Sequence, residues 1–339
     1  MTLPSPPGRH RSPSATAPDR RACLRWLGAL ALPTAGLGGC AAPQPPLRVG
    51  SIVFPGYEMV FLARDLGLLD EQQVRLIEMP SNTDTLRALA SGQLEAAHLT
   101  LDECISARAE GLDLRVLAVL DISAGADAVY SRRPMTLAQL AGKRIAVEDS
   151  AVGATVLGAL LEAAQLRPDQ IVKVPTVLPS TGRDFVGGRA DVVITAEPWA
   201  SQIEAAGGHR LFDSNLMPGR IVDVMVARAQ AVREQPAALR HLVRAHFSGL
   251  AHWRRQPADA AQRLALRLEL APEQVAGAFR GLDLPDRQAN LELMRDGGQI
   301  DATARLLQRD MLRQGLMRQS RSLSEISDTA ALQAAGSAP

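Results

Sequence analysis

From residue 47 onward the apolar positions switch repeatedly between a spacing of two and a spacing of three to four, the periods of strand and helix. The pattern predicts strands over 47–54, 74–79, 96–100 and 114–120, separated by helices over 57–69, 83–90 and 102–110. Gly67, Ser91-Gly92 and Gly111 punctuate the helix ends. A second unit repeats the alternation. Its strands fall over 144–148, 171–178, 191–195, 211–213 and 221–226, and its helices run from the Asp149-Ser150 cap to Gln165, over 184–189 and over 199–206. Strand–helix alternation of this kind predicts an α/β fold with largely parallel sheets. Beyond Glu234 the pattern is helical, over 236–255, 258–269, 272–281, 287–295 and 301–317; residues 318–339 are polar and small and are expected to form a mobile tail.

The first 46 residues follow neither period. Arg20, Arg21 and Arg25 precede a stretch without charge from Trp26 to Gly39, which ends Leu37-Gly38-Gly39-Cys40. A basic stretch, a short apolar run and small residues before a boundary describe an export signal, and a run of this length is too short for a permanent membrane span. The last four residues resemble a bacterial lipobox. The resemblance implies removal of 1–39, lipidation of Cys40 and a tether over 40–46. Asp19-Arg20-Arg21-Ala22-Cys23-Leu24-Arg25 also resembles the twin-arginine export motif, so export by that route or by the general secretion route is open. Either way the expected location is the periplasmic side of a membrane, held by the lipid.

Removing 1–39 takes away five arginines and one aspartate, which turns a formal charge of +1 into −3 and leaves no nucleic-acid signature. Cys104 is then the one cysteine besides Cys40, so no disulfide is expected within the mature chain; a lone thiol on a helix is expected to be buried and inert. Aromatic residues are 3% of the chain, so each one near a strand end is a candidate for ligand contact.

Two α/β units and a helical C-terminal part outline a bilobal protein. The chain is expected to leave lobe one after Leu120, build lobe two over 121–220, and return to lobe one over 221–317. Ligands in open α/β sheets bind beyond the carboxyl ends of the strands, and with two lobes both sets of ends line one cleft that closes about the crossing strands.

Particular residues strengthen this outline. They are Phe54-Pro55-Gly56-Tyr57-Glu58 with Phe61-Leu62-Ala63-Arg64, the run from Ala88 to Ala97, the run from Asp121 to Asp127, the run from Leu140 to Glu148, and Ala190-Asp191 with Glu197-Pro198-Trp199. In order and spacing they resemble the bacterial solute-binding proteins for nitrate, sulfonates, taurine and thiamine-pyrimidine precursors. The resemblance spans about 47–230 and implies a type II periplasmic-binding-protein fold. It also implies a monomer that captures a small solute and docks on the permease and ATPase of an ABC importer, with no cofactor and no chemistry of its own. Some distant relatives use the fold for pyrimidine or quinone-precursor biosynthesis, and a sensor without transport is a third class.

The candidate contacts follow from the strand ends. Pro55-Gly56 lets the backbone turn close to a ligand, beside Phe54 and the ring and hydroxyl of Tyr57. Ser81, Asn82 and Thr83 open a helix and offer N–H groups and hydroxyls to an acceptor, or simply cap it. Thr100 is a contact or a cap. Ser123 faces ligand, or the Asp121–Asp127 segment anchors the hinge. Ser150 starts another helix. Glu197 accepts a ligand N–H, and Trp199 stacks on a ring or packs beneath the cleft. The candidate segments carry Glu58, Asp102, Asp121, Asp127, Glu197 and Asp223 against Arg183 alone. If two of these carboxylates face the ligand they outweigh the helix termini. The expectation is therefore a neutral or cationic heteroaromatic solute over a sulfonate or nitrate.

The enzyme motifs are missing: no P-loop, no Gly-x-Ser-x-Gly elbow and no His-Glu-x-x-His occurs. His241, His246 and His252 are five and six residues apart, which does not put them on one helix face, so no metal site is expected.

Overall fold

The computed structural model describes residues 45–336, together with Thr2. The Cys40 lipidation site, the signal segment and most of the tether lie outside these residues. The elements run β1 Leu47–Ser51, α1 Glu58–Asp65, β2 Val74–Glu78, α2 Asn82–Ala90, β3 Ala96–Thr100, α3 Leu101–Ala109, β4 Leu114–Ser123 and β5 Ala128–Ser131. Next come β6 Arg144–Glu148, α4 Ala151–Ala163, β7 Val172–Thr176, α5 Thr181–Val186, β8 Val192–Thr195, α6 Trp199–Ala205, β9 His209–Asp213 and β10 Val222–Arg228. The rest is α7 Ala229–Glu234, α8 Pro236–Arg255, α9 Pro257–Leu264, α10 Pro272–Ala278, β11 Leu282–Asp283, α11 Arg287–Leu293, α12 Gln299–Arg313 and α13 Ala330–Ala334.

Two mixed sheets result: the α/β expectation holds, but the sheets are not largely parallel, because β5, β9, β10 and β11 enter in antiparallel pairings. The six-stranded sheet has the order β11-β4-β10-β3-β1-β2, and the five-stranded sheet the order β7-β6-β8-β5-β9. β1 pairs in parallel with β2 and β3, and β6 with β7 and β8. The chain leaves the first sheet after β4, builds the second with β5–β9, and returns on β10, which lies antiparallel between β3 and β4. Helices cover the sheet faces, so β3 and β8 are buried at every position and read as continuous apolar runs rather than alternations.

α8 shows how the C-terminal part docks. Its buried positions Leu239, Leu242, Val243, His246, Gly249 and Leu250 follow the helical spacing of one apolar stripe. A Cβ at Gly249 would overlap the carbonyl of Met59, so glycine is what lets α8 lie directly on α1.

The structure differs from the sequence expectation at several places. β5, α7 and β11 were not expected. The mobile tail is corrected for 318–336. Val116 N–H donates to Ile326 O and Asp328 N–H to Val116 O, and Ile326, Ala331 and Leu332 are buried against the main core. This segment covers the β4 side of the first sheet, and its apolar positions are too irregularly spaced to show a period.

Candidate functional site

A chamber of about 340 Å3 opens where strands of both sheets end. Ile52 and Val53 follow β1; Glu78, Met79, Pro80 and Ser81 end β2; Glu148 ends β6; Leu178 and Pro179 follow β7. Arg183 on α5, Pro198, Trp199 and Gln202 close the second-sheet side, and Arg267, Leu268 and Glu269 the other. A recess of about 40 Å3 adjoins it, sharing Glu148 and Leu178 and walled also by Asp127, Val152, Gly153, Val156, Ile194 and Thr195. A larger groove, about 880 Å3, runs along the sides of α2, α3 and α4. It has no aromatic wall and little contribution from strand ends, so the smaller chamber is the better candidate site.

The two lobes meet beside this chamber. Thr155 on α4 donates to Asp102 Oδ2 at 2.7 Å, and Thr83 to the carbonyl of Asp149 at 3.4 Å. At the crossovers, Ser123 and Ser214 are joined through their hydroxyls at 2.7 Å, and Ser123 Oγ accepts from Asp127 N–H.

Of the residues singled out in the sequence, Ser81 and Trp199 line the chamber, whereas Thr83 and Ser150 line the larger groove. The others are engaged within the protein. Phe54 is buried edge-on against Tyr57 at 5.1 Å between ring centres. Tyr57 is buried, and its hydroxyl donates to Asp223. Asn82 donates to Glu103 Oε2 at 2.8 Å, and the same carboxylate accepts from Thr100 N–H, capping α3. Glu197 accepts from Ser201 N–H and Oγ at 3.2 and 3.0 Å and so caps α6 rather than facing solute. Ser81 is itself a cap, accepting from Asp84 N–H at 3.1 Å.

The charge expectation changes with these placements. Glu58 is fully enclosed and paired with Arg267. Asp121 and Asp223 are cross-strand neighbours in the buried β4–β10 pair. Burial, with their mutual repulsion adding to it on Asp223, pushes both above the ordinary carboxylate range, Asp121 to about 8. Asp127 alone of the six expected carboxylates reaches the recess wall, and burial pushes it up to about 6. Glu148 joins it, raised by burial. Sequence reasoning passed over Glu148 as a contact. Its position as the last residue of a strand, just before the Ser150 cap, was the available signal.

Among the described residues no His, Cys, Asp and Glu group is arranged to hold a metal, and no helix is long and apolar enough to cross a membrane. His246 is enclosed without a hydrogen-bond partner, His241 Nε2 accepts from Asp70 N–H, and His252 pairs with Asp259. Cys104 is buried, and burial pushes its thiol up to about 12.

The fold recurs in solved structures. The alkanesulfonate-binding protein SsuA from Xanthomonas axonopodis pv. citri, bound to MOPS, is 19% identical with a TM-score of 0.69, over 86% of this chain and all of that one. The periplasmic nitrate-binding protein NrtA from Synechocystis PCC 6803 is 13% identical with a TM-score of 0.68, over 86% of this chain and 88% of that one. The desulfurization enzyme DszB is 19% identical with a TM-score of 0.61, over 85% and 98%. At these identities the likeness is one of fold, the two-lobed fold of periplasmic binding proteins. No curated protein matches the chain. A family model does match, from residue 40 to residue 268, across both sheets and the first helices that pack on them. On that match the chain belongs to the NMT1-like family.

Proposed function

We propose that the chain is the solute-binding component of an ABC importer, anchored by lipid at Cys40 on the periplasmic side of the membrane. It captures a small organic solute between its lobes and passes it to a permease whose ATPase drives transport. The observation that carries this reading is the chamber itself: both sheets aim strand ends into one space beside two crossovers, the arrangement in which open α/β sheets bind ligands. Ser81 and Trp199 are its contacts from the sequence, Trp199 being the aromatic residue of the chamber wall and the partner for a neutral or cationic heteroaromatic solute. Sulfonate- and nitrate-binding proteins share the fold, so anionic solutes form the comparison class. DszB shows that the fold also hosts an enzyme. Here the buried, weakly acidic thiol of Cys104 holds its proton, which argues against nucleophilic chemistry at that residue.

The test is a thermal-shift screen across vitamins, heteroaromatic precursors, sulfonates, nitrate and amines. A true ligand at about 100 times its Kd adds about 2.7 kcal/mol, a rise of roughly 5–11 °C for a protein near this size. A screen in which no class moves the midpoint counts against solute binding. Anchoring is tested separately. Cys40→Ser is expected to leave the protein in the soluble fraction after cell breakage, because stable attachment needs more than one acyl chain's worth of anchoring. A mutant that still sediments with membranes removes the lipid from the account.

A further inference from the structure

Residues 228–255 hold six arginines and one acid, Glu234, with no lysine or aspartate. They carry +5 in a mature chain of formal charge −3, so the remainder carries −8. Such an asymmetry marks a basic contact surface. α8 contains no acid, and its solvent side presents Arg240 and Arg244, one turn apart. Exposed Arg233 on α7 and half-buried Arg228 at the end of β10 precede them. None of these four guanidinium groups forms an ion pair or hydrogen bond among the described residues. Arg254, by contrast, bonds the Leu284 carbonyl and pairs with Asp286. Of the acids close by, Asp70 is engaged by Gln72 N–H and Gln73 Nε2, Glu234 by Gln230, and Glu71 is exposed.

The fold puts these arginines where the chain enters the first lobe. Leu47, the first residue of β1, donates its N–H to Gln73 O, and Arg228 N–H donates to Glu95 O just before β3. His241, between Arg240 and Arg244, accepts from Asp70 N–H at 2.7 Å. The start of β1, the end of β10, α7 and the first turns of α8 therefore gather at the end of the sheet where its parallel strands begin. The chamber lies at the other end, where Ile52 and Val53 follow β1 and Ser81 follows β2. Six residues, 41–46, separate Cys40 from Leu47, and fully extended they span at most about 25 Å. On the reading that Cys40 carries lipid, the start of β1 never lies farther than this from the bilayer surface.

We propose that this arginine face rests on the anionic headgroups of the membrane that holds Cys40, parking the molecule with its solute chamber turned away from the bilayer. Each arginine close to an anionic surface strengthens association about fivefold. Four of them, partly offset by Glu71 and Glu234, correspond to a dissociation constant in the roughly millimolar range of lipid. An association of this size does not hold an unanchored chain in a dilute lysate. It suffices for a chain whose tether already keeps it within reach of the surface.

Vesicle sedimentation tests this with the chain from residue 40 onward, the mature form on that reading, produced without lipid. At low salt and millimolar lipid it is expected to sediment with mixed phosphatidylglycerol and phosphatidylcholine vesicles and not with phosphatidylcholine alone. It should come off at about 1 M salt, where charges are screened beyond about 3 Å. Arg240→Gln/Arg244→Gln is expected to weaken the association about 25-fold with an unchanged melting midpoint, because both side chains are exposed and unpaired. Arg132→Gln/Arg133→Gln removes the same charge just after β5 in the second lobe and should leave the association nearly unchanged. Orientation is read with a fluorophore on exposed Ala237→Cys or Val186→Cys in the Cys40→Ser background, where Cys104 is buried, and a quencher on the headgroups. Quenching is expected at 237 on α8 and not at 186 on α5. Equal association with both vesicle types overturns the proposal, as does an equal loss from the second-lobe pair or quenching at 186 instead of 237. Association with neither vesicle also overturns it and leaves an acidic protein surface as the partner of this face. The assay uses no lipid at Cys40, so it and the Cys40→Ser fractionation are read separately. If the anchor fails there, the parked orientation falls with it whatever the vesicles show.

Discussion

Replacing Arg267 with methionine is expected to lower stability by about 3–5 kcal/mol, the cost of stranding a buried charge. At about 2–4 °C per kcal/mol this is a fall in melting midpoint of roughly 6–20 °C. Glu58 sits in the first turn of α1 with no exposed surface. Its carboxylate accepts from Arg267 Nε at 2.7 Å and Nη2 at 3.1 Å. Arg267 also bonds Glu78 and lies 3.6 Å above the Phe61 ring. Even with this partner, burial outweighs the attraction and pushes Glu58 up to about 7. Methionine keeps the contact with Phe61 but removes the charge. A Glu58→Met/Arg267→Met double substitution is expected to recover most of the loss, because a buried pair replaced by apolar side chains is often neutral. Thermal melts of the three variants decide; a single substitution as stable as the parent would mean that the pair contributes nothing.

The second large effect is a loss of stability as pH rises from 6.5 to 8. A carboxyl whose folded pKa is raised binds a proton that the unfolded chain has already released, so it destabilises the fold progressively as pH climbs to the folded value. Asp121, raised by burial to about 8, does so up to the end of this window, and Glu58 does so up to about 7. The buried histidines act in the opposite sense at lower pH. His98 and His246 are held neutral by burial, at about 3 and 4, and their favourable contribution grows only up to the ordinary histidine value near 6.5. Asp127, at about 6, is spent before the window opens. One proton is about 1.4 kcal/mol per pH unit, so Asp121 and Glu58 together account for a fall of about 2–3 kcal/mol across the window, to which Glu103, held well above the ordinary carboxylate range by burial, adds. Asp121→Asn removes the larger part of what Asp121 and Glu58 contribute. Melting midpoints that stay level in the parent between pH 6.5 and 8 would show that the Asp121–Asp223 pair releases its proton earlier.

The longest C-terminal helix was legible to the residue, because an amphipathic helix docked on one face carries a strong period: 236–255 was expected and α8 is Pro236–Arg255; the shorter ones were legible as helices but not in their ends, α9 stopping at Leu264 where 269 was expected and α12 at Arg313 where 317 was. β5 was not legible. Its four residues are all buried, so no alternation marks them, and they follow directly on the glycine-containing crossover. The site was legible as a place, less so as a set of side chains. Ser81 and Trp199 reach the chamber, while Tyr57 and Glu197, equally placed at strand ends, turn their polar atoms to Asp223 and Ser201. Which way a side chain turns at a strand end depends on its partner across the fold. Tyr57 and Asp223 lie 166 residues apart, and no local period records such a pairing.

The neighbouring positions of β4 and β10 bear on how such a molecule can be cut and joined. Ile122 and Val222 are cross-strand partners in an antiparallel pair, and everything in the second sheet lies between them in the chain. Adjacent antiparallel strands can be closed by a two-residue hairpin, so a short turn suffices to replace the whole of β5–β9 without moving either strand. The second lobe is in this sense a cassette inserted into a hairpin of the first, and exchanging it between family members requires junctions at only two adjacent backbone positions.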